Sequence, residues 1–220
     1  RFIADASHEL RSPMTALSLQ VEQLAHQDLP AEAKTQLIQV KQGIQRSRNL
    51  LEQLLSLARI QNNKMENHTD FNVQDIFRRV IEDVLPLALD KDQDLGVTND
   101  QAVKFHGSET DLYLLVKTLV DNAIRYTPNG SQIDLSVKEK DGGIQICLED
   151  NGNGIPPEER QRVLDPFYRI LGTEQQGSGL GLAIAEEIVK NYGGKIELKD
   201  SVSFETGLLV EVELPTSGQI

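Results

Sequence analysis

The stretch Gly177-Ser178-Gly179-Leu180-Gly181-Leu182 ("GSGLGL") places three glycines at alternate positions and then enters an apolar run. Leu180 to Tyr192 is predicted as a helix, stopped by Gly193-Gly194. A glycine loop running straight into a helix N-terminus is a place for phosphate, because free backbone N–H groups and the positive end of the helix dipole meet there. No Lys-Ser/Thr follows the glycines, so this is not a P-loop, and the spacing is not the dinucleotide fingerprint. The loop takes its meaning from what surrounds it.

Strict alternation marks its neighbours: Ile133-Leu135-Val137, Ile144-Ile146-Leu148, Ile196-Leu198 and Leu208-Val210-Val212-Leu214. These are predicted as half-buried strands of a mostly antiparallel sheet. Helices are predicted from Phe71 to Leu89 and from Asp111 to Tyr126. Residues 70–217 are therefore expected to form an α+β sandwich with helices on one face of the sheet. Two more stretches in it carry chemistry. Asn122, late in a helix, offers a neutral amide oxygen suited to Mg²⁺ already held by phosphates, and Arg125 stands one turn along to reach a phosphate. Asp150 ends a strand, where its carboxylate can accept the exocyclic amine of a base such as adenine, and Gly152 and Gly154 let backbone approach that base. Each of the three is commonplace alone; their order and joint presence point to a nucleotide.

Toward the N-terminus the grammar changes. Ile3, Ala6, Leu10, Met14, Leu17, Val21 and Leu24 recur at spacings of three and four, a heptad seam. Gln27-Asp28-Leu29-Pro30 breaks it, with Pro30 placed for the first turn of a new helix, and a second seam follows at Leu37, Val40, Ile44, Leu51, Leu54 and Ala58. Residues 1–66 are expected to form an antiparallel helical hairpin. One hairpin buries two seams poorly, so a second copy is expected to complete a dimeric four-helix bundle. At about 100° per residue, His8 falls about 160° from Leu10, on the solvent side, with Ser12 one turn along and Glu9 and Arg11 flanking. Pro13 is expected to loosen the helix just after it. A neutral imidazole is both base and nucleophile, and a neighbouring carboxylate can fix its tautomer.

The net charge of −12 over 220 residues argues against a nucleic-acid partner. The single cysteine, Cys147, excludes an internal disulfide and a thiolate metal cluster. No apolar run approaches the roughly 20 residues needed to span a bilayer. The chain does not begin with Met, and its amphipathic pattern is under way at Phe2, which suggests that it continues a longer protein whose membrane part precedes it.

Taken in order, "FIADASHELRSPMTAL" (2–17), "LVDNAIRYTPNG" (119–130), "DNGNGIP" (150–156), "DPFYR" (165–169) and "GSGLGLAI" (177–184) resemble the H, N, first glycine, F and second glycine boxes of bacterial two-component sensor histidine kinases. The resemblance covers essentially the whole chain. It implies a GHKL-type ATP-binding domain behind a dimerisation and phosphotransfer hairpin, in the cytoplasmic portion of an inner-membrane sensor. By that resemblance ATP, with Mg²⁺ held at Asn122, phosphorylates His8, and Glu9 orients the imidazole and takes its proton. Arg125 and Tyr126 line the pocket, and Asp150 binds the adenine amine. Gly152, Gly154, Gly177, Gly179, Leu180 and Gly181 shape the pocket and hinge a lid, while Phe167 and Arg169 pack and steady it. The phosphoryl group then passes to an aspartate of a response-regulator receiver domain, and Ser12 serves in removing it again. Thr118 departs from the family's usual asparagine, the one feature that supports the alternative of a weakly active nucleotide-binding scaffold; a GHKL-type ATP hydrolase is the other alternative. The hydrolase reading lacks support, since those enzymes resemble one another in placing a glutamate where this chain has Thr118, and they have no histidine hairpin. His26, His68 and His106 are expected at the surface, Cys147 as a small structural residue, and Pro157-Glu158-Glu159 as a helix start.

Overall fold

The computed structural model describes residues 2–27, 29–62, 68–99, 101–140, 142–170 and 177–216. The chain separates into two compact units, Arg1–Asn62 and Asn63–Ile220.

The first unit is a pair of helices, α1 (Phe2–Ala25) and α2 (Ala31–Asn62). Helix α1 runs on through Pro13, and the Ser18 hydroxyl donates to the Met14 carbonyl at 3.0 Å, a back-bond of the kind that bends helices slightly. Pro30 stands one position before α2 rather than inside it, and its carbonyl accepts the Lys34 N–H at 3.0 Å. Val21 and Ile60 are buried, yet Leu17, Leu24, Val40 and Leu54 remain 37–51% exposed within one chain. Among the described residues the expected seams are thus only partly covered by the hairpin's own two helices.

The second unit contains β1 (Thr69–Asn72), α3 (Val73–Leu89), β2 (Asp94–Val97), β3 (Lys104–Gly107), α4 (Glu109–Tyr126), β4 (Gln132–Lys140), β5 (Gly143–Asp150), a 3₁₀ turn (Arg162–Leu164), α5 (Gly181–Asn191), β6 (Lys195–Asp200) and β7 (Leu208–Pro215). Five strands form one sheet in the order β2-β4-β5-β7-β6, in which only β2 and β4 run parallel. Strands β1 and β3 make a separate antiparallel ribbon. The alternation read from the sequence sets the layers. Ile133, Leu135, Val137, Ile144, Ile146, Leu148, Val210, Val212 and Leu214 are buried, as are Val80 and Val84 of α3, Leu115 and Leu119 of α4, and Ile184 and Ile188 of α5. The opposite side of the sheet is polar: Lys199 pairs with Glu197 and Glu211, Lys195 with Glu197, and Lys140 with Glu213. Cys147 lies half-buried on this side, across from Ser136 and Glu211.

Several boundaries differ from expectation. Phe71 and Asn72 belong to β1, and helix α3 starts only at Val73, because the Asn72 side chain caps it by accepting the Gln74 N–H at 3.2 Å. Helix α4 starts at Glu109, since Ser108 caps it through the Asp111 N–H. Pro157-Glu158-Glu159 opens only turns ahead of the 3₁₀ segment, because the side chains around it are committed elsewhere: Arg160 donates to the Ile155 carbonyl at 2.9 Å and pairs with Asp200, while Tyr168 donates to Glu159. His106 is exposed and bonds Asp70 at 2.7 Å, but His68 is half-buried and stacks on Tyr192 with ring centroids 5.6 Å apart.

Candidate functional site

Strand β5 ends in Asp150, whose side chain is sunk to 4% exposure. Its Oδ1 accepts the Gly152 N–H at 2.9 Å and the Leu208 N–H at 3.4 Å. These bonds hold one oxygen and leave Oδ2 for a further donor. Burial pushes the carboxyl above the ordinary aspartate range, and the two backbone N–H groups pull part of the way back. Gly152 then passes so close to α4's end that a Cβ there would fall 2.8 Å from Thr127 Cγ2. The first glycine stretch and the helix that carries Asn122 are therefore in contact.

Helix α4 also meets the glycine loop. A Cβ on Gly181 would fall 2.9 Å from Asn122 Nδ2 and 3.0 Å from Oδ1, so the Asn122 amide lies on the backbone that begins α5. Leu180 is the fully buried residue preceding that helix, its N–H held by Ser178 Oγ at 3.2 Å. Gly177 is 2.8 Å, at its would-be Cβ, from the Tyr126 hydroxyl and 3.9 Å from Arg125. Both of those side chains are exposed, with reach into solvent beside the loop. Gly179 and Phe167 are joined by the Phe167 N–H donating to the Gly179 carbonyl at 2.9 Å.

Asn122, Arg125 and Tyr126 of α4 thus meet Gly177 and Gly181 of the glycine loop, with Gly179 and Leu180 between them in the chain, and Thr127 at the end of α4 lies beside Gly152, whose N–H is bonded to Asp150. Gly154 packs against the carbonyl of Gly207. Phe167 departs from expectation: its side chain is 59% exposed and its φ is +66°. The packed aromatic is Tyr168, whose ring lies 4.3 Å from the Arg162 guanidinium carbon. Arg169 is exposed. His8, Glu9 and Ser12 lie on α1, but their side chains fall outside the described residues. Among the described residues no group of three or more His, Cys, Asp or Glu could hold a metal ion.

Two residues that sequence reading passed over brace this end of α4. Lys91 Nζ donates to the carbonyls of Ile124 (2.7 Å), Arg125 (3.1 Å) and Thr127 (3.0 Å). Gln93 Nε2 donates to Thr127 Oγ1 at 2.8 Å, Ile124 O at 3.1 Å and Pro128 O at 3.1 Å. A cation satisfying the last carbonyls of a helix meets both their hydrogen-bond demand and the negative end of the dipole. Burial, with the Arg125 charge second, lowers the Lys91 pKa.

The chain has known counterparts. Residues 107–218 match the family described as histidine kinase-, DNA gyrase B-, and HSP90-like ATPase, and residues 1–63 match the His Kinase A (phospho-acceptor) domain. The chain belongs to this ATPase family, in its sensor histidine kinase branch. It is 38% identical over 201 residues to the sensor protein QseC of Escherichia coli O157:H7, covering 90% of this chain and 44% of that protein. It is 33% identical over 217 residues to the sensor protein kinase PmrB of Pseudomonas aeruginosa, covering 98% and 45% respectively. The chain therefore spans less than half the length of these relatives. Among solved structures, full-length ShkA in complex with AMPPNP superposes with a TM-score of 0.78 at 22% identity, over 99% of this chain and 46% of that one. The histidine kinase AdeS of Acinetobacter baumannii gives 0.66 at 20% identity, over 96% and 98%. These two likenesses concern the fold.

Proposed function

We propose that the chain is an ATP-dependent protein-histidine kinase core that phosphorylates its own His8 and passes the phosphoryl group to an aspartate of a response-regulator receiver domain. The observation that carries this is the joining of Asn122 to Gly181 and of Thr127 to Gly152, behind a phospho-acceptor hairpin. In this reading the buried Asp150 carboxylate accepts the adenine amine. Arg125 and the N–H groups at the start of α5 receive phosphate. The donor set around Asn122 is a single neutral amide without a carboxylate cluster, which fits Mg²⁺ brought in by nucleotide phosphates and not a free ion. When bound, the metal supplies charge neutralisation between the phosphates. His8 Nε2 attacks the γ-phosphorus, the bond to the β-phosphate oxygen breaks, ADP leaves, and the imidazole proton passes to Glu9. Ser12, one turn on, holds water for the reverse task of dephosphorylating the regulator.

The partly covered seams of α1 and α2 support a homodimer through the hairpin. Replacing Leu51 and Leu54 by lysine is expected to give monomers, because each places a charge in an apolar layer at a cost of several kcal/mol. Sedimentation of the parent and the double variant at micromolar concentration checks this. Among the described residues no helix is long and apolar enough to cross a membrane, and the longer sensor relatives support a place on the cytoplasmic side of a bacterial inner-membrane sensor.

The test of the function is incubation of the purified chain with Mg-ATP. It should acquire a phosphoryl group stable in base and labile in acid, as a phosphoramidate is. Hydrolysis of ATP without such a label would favour the ATP-hydrolase alternative, and neither outcome would leave only the nucleotide-binding scaffold. Gly181→Ala separates positioning from binding. Its methyl group would push the Asn122 amide aside, so labelling should slow about ten-fold or more, the loss of about 1.4 kcal/mol in the transition state. Thermal stability should change little, since the atoms to be displaced are the far end of the Asn122 side chain. A variant labelled at the parent rate would remove the Asn122–Gly181 contact from the mechanism.

A further inference from the structure

Asp150 is held partly by a turn with little apolar anchorage: Phe204 is half-buried, and four of its seven residues are exposed. Residues 201–207 join β6 to β7, and Val202 in their midst is 82% exposed. The turn is folded instead around the side chain next to Asp150. Glu149 Oε1 accepts from Ser201 Oγ at 2.6 Å, Val202 N–H at 2.5 Å and Ser203 N–H at 2.7 Å, and Oε2 accepts from Ser203 Oγ at 2.8 Å. Ser201 Oγ in turn accepts the Phe204 N–H at 2.9 Å, and the Ser201 N–H donates to the Gly207 carbonyl at 3.2 Å, closing the turn. Four hydrogen bonds from three consecutive residues thus converge on one carboxylate.

The turn delivers its far end onto the base site. Gly207 is buried against the Asp150 backbone: a Cβ there would overlap the Asp150 carbonyl oxygen, and its φ of +144° further excludes a side chain. The Gly207 carbonyl is also what Gly154 packs on, and the next residue, Leu208, donates its N–H to Asp150 Oδ1. Asp150 and Glu149 are adjacent on β5. The two carboxylates therefore grip opposite ends of the same turn.

We propose that Glu149 is a positioning residue for base recognition: by folding the Ser201–Gly207 turn it holds the Leu208 N–H on Asp150 Oδ1 and so aims Oδ2 at the exocyclic amine of the purine. This rests on the reading of Asp150 as the adenine-binding group. The hydrogen bonds lower the Glu149 pKa against the burial that raises it, so the anion is the form that folds the turn at neutral pH.

Discrimination between ATP and GTP, whose bases differ in amine and carbonyl at the recognised position, is the readout that a merely structural role would not move. In direct titrations of the full chain, Glu149→Ala should weaken ATP about ten-fold and leave GTP within about two-fold, the scale of one misaligned hydrogen bond. Glu149→Gln keeps an acceptor for the three Oε1 bonds and should retain most of the parent ratio. Equal weakening of both nucleotides, or an unchanged ratio in Glu149→Ala, would overturn the proposal. If the alanine variant does not fold, Ser203→Ala carries the same test, with the ratio falling about three-fold. Asp150→Asn run in parallel tells the two readings apart. If it keeps the parent's ATP preference, the base-site reading fails; if it loses that preference while the Glu149 and Ser203 variants keep it, only the role of Glu149 fails.

Discussion

Asp150→Asn should melt at a higher temperature than the parent while binding ATP about a hundred-fold more weakly, the larger end of what a hydrogen bond to a charged group contributes. Both halves come from one geometry. The Asp150 carboxylate is buried at the end of β5 with two backbone N–H partners, and burial raises its pKa. A carboxyl whose folded pKa lies above its unfolded value costs stability when ionised. That cost is present at neutral pH and disappears as pH falls through the folded value toward the ordinary aspartate value of about 4. Asparagine keeps an Oδ1 for the Gly152 N–H and has no charge to desolvate. The stability gain should therefore be largest near pH 7 and fade in acid. The loss of binding comes from the other side of the group. Asparagine Nδ2 donates where the carboxylate accepts, so in the proposed reading it would face the adenine amine donor to donor and suit a guanine carbonyl instead. Calorimetric melting across pH together with ATP and GTP titrations measures all of this. A variant that melts lower than the parent at pH 7 would show that the two N–H bonds outweigh desolvation.

His8→Ala should reduce phosphoryl labelling from Mg-ATP to background while leaving ATP affinity within about two-fold. In the proposed reading the residue is the acceptor, and it stands on α1, while Asp150, Asn122 and the glycine loop belong to the second unit, so the substitution removes the acceptor and leaves the proposed nucleotide-binding residues unchanged. The label on the parent should survive base and disappear in acid, because protonation of a phosphoramidate nitrogen makes it a good leaving group. Labelling that persists in the alanine variant would assign the acceptor elsewhere. Labelling and ATP affinity lost together would point to damage beyond the site.

What the sequence made legible was whatever repeats locally. The strands β4, β5, β6 and β7 alternate apolar and polar residues, and most of those apolar residues are buried between sheet and helices, with Ile196 and Leu208 only half-buried. The glycine loop, Asn122 and Asp150 announce themselves by residue type beside a predicted strand or helix. The ribbon of β1 and β3 does not. Each strand has four residues, and Thr69 pairs with Gly107 across the whole of α3 and β2. Strand β2, Asp-Leu-Gly-Val, is equally short and holds its place by parallel pairing with β4. Lys91 and Gln93 were invisible for a related reason. Their partners are carbonyls more than 30 residues along, and no pattern in the side chains foretells which carbonyls a helix leaves open. Glu149 carries no signal of its own in the sequence, because the turn it holds lies more than 50 residues along and acquires shape only in the fold. Phe167 shows the reverse error, since an aromatic in a recognisable box was expected to pack, and the packing falls to Tyr168.

The open margins of the five-stranded sheet bear on how the protein survives crowding. Strands β2 and β6 each have one side without a ladder partner in the sheet, and an unpaired strand is a template on which another chain can crystallise into a ribbon. Strand β2 offers only four residues of template. Strand β6 is longer, but Lys195 and Lys199 sit along it, tied to Glu197 and Glu211, so an approaching strand would have to bury or break those ion pairs. Strand-to-strand growth between copies is thereby discouraged at both margins of this sheet, by brevity at one and by charge at the other.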